Sequence, residues 1–195
     1  HDALPIYRTV GGSYENYITP EQCVPDEPPG VPWESCITLG TSFSFAYEDE
    51  YKSPREVINL LVDIVAKGGN LAINVGPQPD GRLPKGAQNT LKGMGEWLRT
   101  YGNAIYETRA CAPYKRGNIA FTKKRDTIYA LEMFPDEKEP LPESIWIPYD
   151  GKVEDVTIMG SGEKAVFQKK NGGIMIHNLP TDFETPIARV YEMKI

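Results

Sequence analysis

The sequence predicts two fold classes in one chain: an α/β part over residues 1–108 and an all-β part, an antiparallel β-sandwich, over residues 109–195. Three observations carry this reading. Strand and helix signals alternate up to about residue 108, which is α/β grammar. Beyond it, short β-rich runs recur roughly every 8–12 residues, and no helical period competes with them. Charge divides at the same place. The chain has a net charge of −6; residues 1–108 hold 8 Lys+Arg against 14 Asp+Glu, and residues 109–195 hold 13 of each.

Each element has its own justification. Residues 11–32 read as a long irregular stretch, because Pro20, Pro25, Pro28, Pro29 and Pro32 remove donors and fix φ, against both helix and central strand. A short strand follows over residues 35–39. Ser53 is suited to cap a helix, Pro54 to its first position and Glu56 to a capping box. Val57, Leu60, Leu61 and Ile64 then repeat at helical spacing, and Gly68 suits the left-handed cap, so the helix spans residues 54–67. Ile58, Val62 and Val65 widen its apolar surface beyond one stripe, so it needs cover on more than one side.

Residues 71–75 are a nearly all-apolar strand of the kind found in buried parallel sheets. The turn-rich GPQPDG loop, residues 76–81, lies at its carboxyl end. A second helix starts at Pro84 and ends at Gly102, with Ala87, Leu91, Met94, Leu98 and Tyr101 on its apolar face. Gly86, Gly93 and Gly95 weaken it by roughly 1 kcal/mol each relative to Ala, which calls for a tight packing partner. Strands are then expected over residues 118–122, 127–134, 144–147, 153–159, 165–168, 174–177 and 187–193, with Asn171-Gly172-Gly173 as a hairpin turn.

Composition excludes several classes. The acidic balance argues against a non-specific nucleic-acid or anionic-membrane binder. No apolar run approaches the ~20 residues of a membrane span. Cys23, Cys36 and Cys111 have no C-x-x-C spacing and read as small buried hydrophobes rather than a disulfide set. His1 and His177 do not make a zinc site, and no cofactor or metal is implied. At 195 residues the chain is shorter than a complete eightfold β/α barrel enzyme, which needs roughly 250. Two strands and two helices cannot close a barrel, so the α/β part reads as a segment of something larger.

Ligand sites in α/β folds gather at the carboxyl ends of strands. Three segments meet that rule: TPEQ at residues 19–22, the stretch bearing Phe43, Phe45 and Tyr47, and the GPQPDG loop. Glu15, Glu21, Glu34 and Asp80 are the carboxylates near them. Aromatic faces with carboxylates suit sugars, whose C–H surfaces stack on rings while carboxylates act as acid, base or nucleophile. The same residues also suit a solvated loop beside an aromatic core.

Several stretches together resemble the α-L-fucosidases of glycoside hydrolase family 29. They are PWESC at residues 32–36, YKSPREVINLLVDIVAKGGN at 51–70, LAINVGPQPDG at 71–81 and GEWLRTYGNAIYET at 95–108. Ala72 and Ile73 depart from the family's Leu-Leu, a change in packing volume only. Residues 109–195 resemble the family's C-terminal sandwich in position and strand pattern.

The resemblance implies a retaining exo-glycosidase on a (β/α)8-type barrel followed by a β-sandwich. Residues 1–108 are then the end of that catalytic barrel. Glu21 is implied as the general acid/base, with Glu15 the runner-up. Phe45 matches an aromatic that contacts the fucose methyl group, and Trp33 and Glu34 match the PWESC strand as substrate-binding candidates. Asn74 and Asp80 are expected to hold the strand end and the turn. The implied partners are fucosylated glycans or small α-L-fucosides, with no nucleic acid and no membrane. Family members are often secreted or periplasmic, though no targeting segment is visible.

The nucleophile region is not in this sequence, so the remaining barrel residues must come from the same or another chain. Retention needs two carboxyl groups about 5 Å apart around the anomeric carbon. The alternative reading is a non-catalytic carbohydrate-binding or interaction fragment that lacks the nucleophile.

Overall fold

A computed structural model describes residues 17–138, 140–181 and 186–195. Two compact units divide inside a helix, the first ending at Gly93 and the second beginning at Met94. The change of grammar in the sequence lies fifteen residues further on, at about residue 108.

In the first unit, β1 (Glu34–Thr38) pairs in parallel with β2 (Asn70–Asn74), joined through α1 (Pro54–Ala66). The register sets Glu34 beside Asn70, Cys36 beside Ala72 and Thr38 beside Asn74. Side chains alternate across a strand, so these six share one face. The other face carries Trp33, Ile37, Leu71 and Ile73, packed with Ile64 and Leu60 of α1. The helix forms as its capping box predicts: the Ser53 hydroxyl accepts from the Glu56 N–H at 3.2 Å, and Glu56 Oε2 accepts from the Ser53 N–H at 2.7 Å.

The described part of the proline-rich stretch forms neither helix nor strand, yet it lies along β1. Ile18 and Glu21 form parallel bridges to Trp33 and Cys36 on the edge of β1 away from β2. Ile18 N–H donates to the Pro32 carbonyl and Cys36 N–H to the Pro20 carbonyl, at 3.1 and 3.0 Å. Both prolines act as acceptors, so the missing N–H costs nothing. Three adjacent lanes of chain therefore run the same way.

The second helix, α2 (Lys85–Tyr101), spans the boundary between the units. The close partners its glycines call for are present in the first unit. A Cβ on Gly86 would come within 2.5 Å of the Tyr51 ring, and one on Gly93 within 2.6 Å of Pro54. Gly95 has nothing within 4 Å.

The second unit is a β-sandwich. One sheet has the order β3-β4-β5-β10-β7, built from Arg109–Arg116, Ile119–Lys124, Thr127–Met133, Ala188–Lys194 and Asp155–Ile158. The facing sheet has the order β6-β9-β8, from Ile145–Ile147, Gly173–His177 and Val166–Lys170. Every pairing in the two sheets is antiparallel. Phe121, Ile128, Ile147, Ile174, Ile176, Tyr191 and Met193 meet between them. Asn171 and Gly172 take φ of 52° and 70° in the β8–β9 turn, as a primed two-residue hairpin requires.

Strand β3 was not expected, and its geometry explains why. Its register shifts between Ala110 and Lys115, with Pro113 and a left-handed Tyr114 (φ 63°) inside the irregularity. The cysteines are free, but none is the buried hydrophobe expected: Cys23 is exposed, and Cys36 and Cys111 are only partly buried. No helix among the described residues is long and apolar enough to cross a membrane.

Candidate active site

The carboxyl ends of the parallel lanes belong to the first unit. Glu21 is exposed at the end of the lane beside β1. Its neighbour Gln22 is held firmly: its N–H donates to the Cys36 carbonyl at 2.9 Å, and its side-chain amide pairs with Thr38, donating to Oγ1 at 3.1 Å and accepting from the backbone N–H at 3.2 Å. Gln22 adopts φ 55°, so this clamp fixes the turn that presents Glu21. Glu15, the alternative acid/base, lies outside the described residues.

Beyond β1 the chain forms a loop closed at its base. Lys52 N–H donates to the Leu39 carbonyl at 2.9 Å, and Lys52 Nζ to the Thr38 carbonyl at 2.8 Å. Asp49 ties the interior of the loop, accepting from Thr41 N–H and Oγ1 at 2.8 and 2.6 Å. The Thr41 hydroxyl and then its N–H hold the Asp49 carboxyl below the ordinary carboxylate range. Phe45 and Tyr47 project from this loop and meet edge-to-face, with centroids 5.1 Å apart at 69°.

The GPQPDG loop comes up against the same loop. A Cβ on Gly76 would lie 2.4 Å from the Phe45 backbone nitrogen, so only glycine allows the two loops this close. Asp80 closes its turn onto Arg82, accepting from Nε at 2.7 Å and from the backbone N–H at 3.1 Å. That pairing holds the Asp80 carboxyl low and commits it to the turn. Between the two loops and the start of α2 lies a cleft of about 500 Å³, lined by Phe45, Tyr47, Tyr51, Gln78, Asp80 and Lys85 among others.

Not every candidate comes to this end. Trp33 is 1% exposed, its ring against Gly69 and its indole N–H donated to the Lys67 carbonyl at 3.2 Å. Its ring packs with Ile37 and with Ile64 of α1. Glu34 is half-buried at the amino end of β1. Four residues of strand, about 13 Å at ~3.3 Å per residue, separate it from the level of Thr38.

Asn74 ends β2, and its Oδ1 is buried with no hydrogen-bond partner among the described residues. It shares the face of Glu34, Cys36 and Thr38, which α1 does not cover. Sequence reasoning missed Gln22, Thr38 and the Thr41–Asp49 clamp. TPEQ had marked the place of Gln22, whereas Asp49 sits in an acidic run, Glu48-Asp49-Glu50, that looks solvated. No cluster of metal-ligating side chains occurs among the described residues.

A sequence model of the α-L-fucosidase family matches residues 6–103, just over half of the chain. The chain belongs to the α-L-fucosidase family. An α-L-fucosidase from Branchiostoma floridae is 29% identical over 156 residues, covering 76% of this chain and 34% of that protein. The plasma α-L-fucosidase of Rattus norvegicus is 42% identical over 81 residues, 39% of this chain and 17% of that protein. Among solved structures, α-L-fucosidase isoenzyme 1 from Paenibacillus thiaminolyticus superposes with a TM-score of 0.80 at 27% identity, over 92% of this chain and 45% of that one. The Thermotoga maritima α-fucosidase, solved with a mechanism-based inhibitor, gives 0.78 at 30% identity, over 95% of this chain and 44% of its own. The chain thus spans 34% and 17% of these two sequence relatives and under half of the two solved fucosidases.

Proposed function

We propose that this chain forms the C-terminal part of a retaining α-L-fucosidase and supplies the acid/base half of its active site. The observation that supports it most is the extent of the family match. It covers residues 6–103, the stretch whose three parallel lanes carry Glu21 and Phe45 at their carboxyl side. Residues 1–108 are then the last part of a β/α barrel, and residues 109–195 its C-terminal sandwich.

In this reading the rest of the barrel covers the open face of Glu34, Cys36, Thr38 and Asn74. A carboxylate from those outside residues, in the same or another chain, bonds to the anomeric carbon of fucose as the glycosidic C–O bond breaks. Glu21 gives its proton to the leaving oxygen. Glu21 then takes a proton from the water that releases fucose. Phe45 packs on the fucose methyl group, and the Gln22–Thr38 clamp keeps the Glu21 turn in place. Substrates are fucosylated glycans or small α-L-fucosides.

The test is hydrolysis of a chromogenic α-L-fucoside by the polypeptide that carries this chain and the remaining barrel. Glu21→Gln is expected to lower kcat by about 10²–10⁴-fold, with Glu15→Gln within a few-fold of the parent. The reverse ranking reassigns the acid/base to Glu15. No hydrolysis by the parent overturns the proposal.

A further inference from the structure

The cleft beside Phe45 has features that neither the proposed acid/base nor the fucose contact uses. Tyr47 is 89% exposed, an aromatic ring standing in solvent at the rim of a concave site. An aromatic ring so placed offers a face on which a ligand can stack. The ring is not on a loose tether, because Thr41–Asp49 and Leu39–Lys52 fix its loop and Phe45 meets it edge-on.

The opposite wall is equally built. Gly86 lets the first turn of α2 close on the Tyr51 ring, at 2.5 Å for an added Cβ, and Gly76 lets the β2 loop close on Phe45. Gln78 and Lys85 line this space, and neither side chain makes a hydrogen bond among the described residues. Lys85 is also placed against helix stability. A cation in a first turn opposes the helix dipole by about 0.3–1 kcal/mol, so α2 itself gives no reason for it. The cleft volume of about 500 Å³ falls in the roughly 300–1,000 Å³ range of small-molecule sites.

We infer that this cleft is the leaving-group subsite, taking the sugar ring to which fucose is attached. The inference rests on the fucosidase reading. Tyr47 and Tyr51 supply aromatic surface for the C–H face of a pyranose. Gln78 and Lys85 donate to its hydroxyls. Asp80, engaged by Arg82, shapes the floor of the turn. Phe45 lies between the two subsites, one side toward fucose and its edge toward Tyr47. Specificity for the second sugar then belongs to the loops of residues 41–49 and 76–85.

The experiment compares two substrates in the polypeptide that carries this chain and the rest of the barrel. α-L-Fucosyl fluoride has a leaving group of one atom, and a fucosyl-hexose disaccharide has a full ring. Tyr47→Ala and Lys85→Ala are expected to lower kcat/KM for the disaccharide at least five-fold more than for the fluoride, with the difference mainly in KM. Tyr47 is too exposed for its truncation to unfold the unit, and the fluoride rate reports any disturbance of Phe45. Equal losses on both substrates overturn the subsite while leaving the fucosidase reading intact. Hydrolysis of neither substrate by the parent overturns both.

Discussion

β5 and β2 are both short apolar strands, yet all seven residues of β5 are buried and none of the five residues of β2 is. The difference lies in cover. β5 has the facing sheet on one side. On the other, within the same unit, lies the chain just after α2, where the Thr122 hydroxyl donates to the Ala104 carbonyl at 2.7 Å. β2 has α1 on one face, and the face of Asn70, Ala72 and Asn74 has no covering element among the described residues. Among the described residues the sandwich covers both faces of β5, whereas the parallel unit leaves one face of β2 without cover. The proposed chemistry belongs to the second kind of structure, where strand ends and loops present side chains.

The largest test of this contrast is truncation in each unit. Phe121→Ala, at a fully buried position between the sheets, is expected to cost about 3–5 kcal/mol. Ile73→Ala on half-buried β2 is expected to cost about 1 kcal/mol. Urea unfolding of the chain measures both, and equal costs would erase the distinction.

A second probe uses the polar centre of the sandwich. Glu132 and Arg189 are cross-strand partners, 2% and 4% exposed, with Arg189 Nε 3.9 Å from Glu132 Oε2. Tyr191 donates to the same carboxylate at 2.9 Å, and burial and then the Glu132 charge push its phenol far above the ordinary range. Arg189 also lies over the Phe134 ring, 5.8 Å from its centroid. Glu132→Ala strands the guanidinium in the interior and is expected to cost about 3 kcal/mol or more. Tyr191→Phe is expected to cost about 1–2 kcal/mol. The same unfolding curves report both, and a neutral Glu132→Ala would show the pair to be dispensable.

The smallest effect belongs to the first unit. Ser53→Ala removes the cap of α1 and is expected to cost about 1 kcal/mol, read from the same transition. Its partner Glu56 is held below its usual 4.5 by the Ser53 N–H and then the Ser53 hydroxyl. A depressed carboxylate stabilises above its unfolded pKa and loses that contribution as pH falls through its folded value. The penalty of Glu56→Ala should therefore shrink as pH falls below about 4.5. A constant penalty down to acid pH would remove Glu56 from the box.

What could be read in the sequence followed local rules. The α1 box, the Asn171-Gly172 turn and Gly86 and Gly93 of α2 each state a requirement that is met, whereas Gly95 has no close partner. β3 escaped because Pro113 and Tyr114 break the alternation that marks a strand. The contact of residues 17–22 with β1 has no local signal, because Pro20 looks like a breaker although it only accepts a hydrogen bond there. At the site, Glu21 and Phe45 are candidates through resemblance alone, and Trp33 lies buried beside Ile37 and Ile64. A Trp beside a Glu near the start of a strand gives no sign of which face it takes until α1 is packed against it. The Thr41–Asp49 clamp joins residues eight apart in a loop with no repeat, so no periodicity announces it.

The central claim is that Glu21 protonates the leaving group. The most direct measurement is the dependence of the Glu21→Gln defect on leaving-group quality, in the polypeptide that carries this chain and the rest of the barrel. A fucosyl fluoride needs no proton donor, whereas a fucosyl-hexose does. The account predicts a loss of about 100-fold or more on the disaccharide and a much smaller loss on formation of the covalent intermediate from the fluoride. The same loss on both substrates, or none on either, would contradict it.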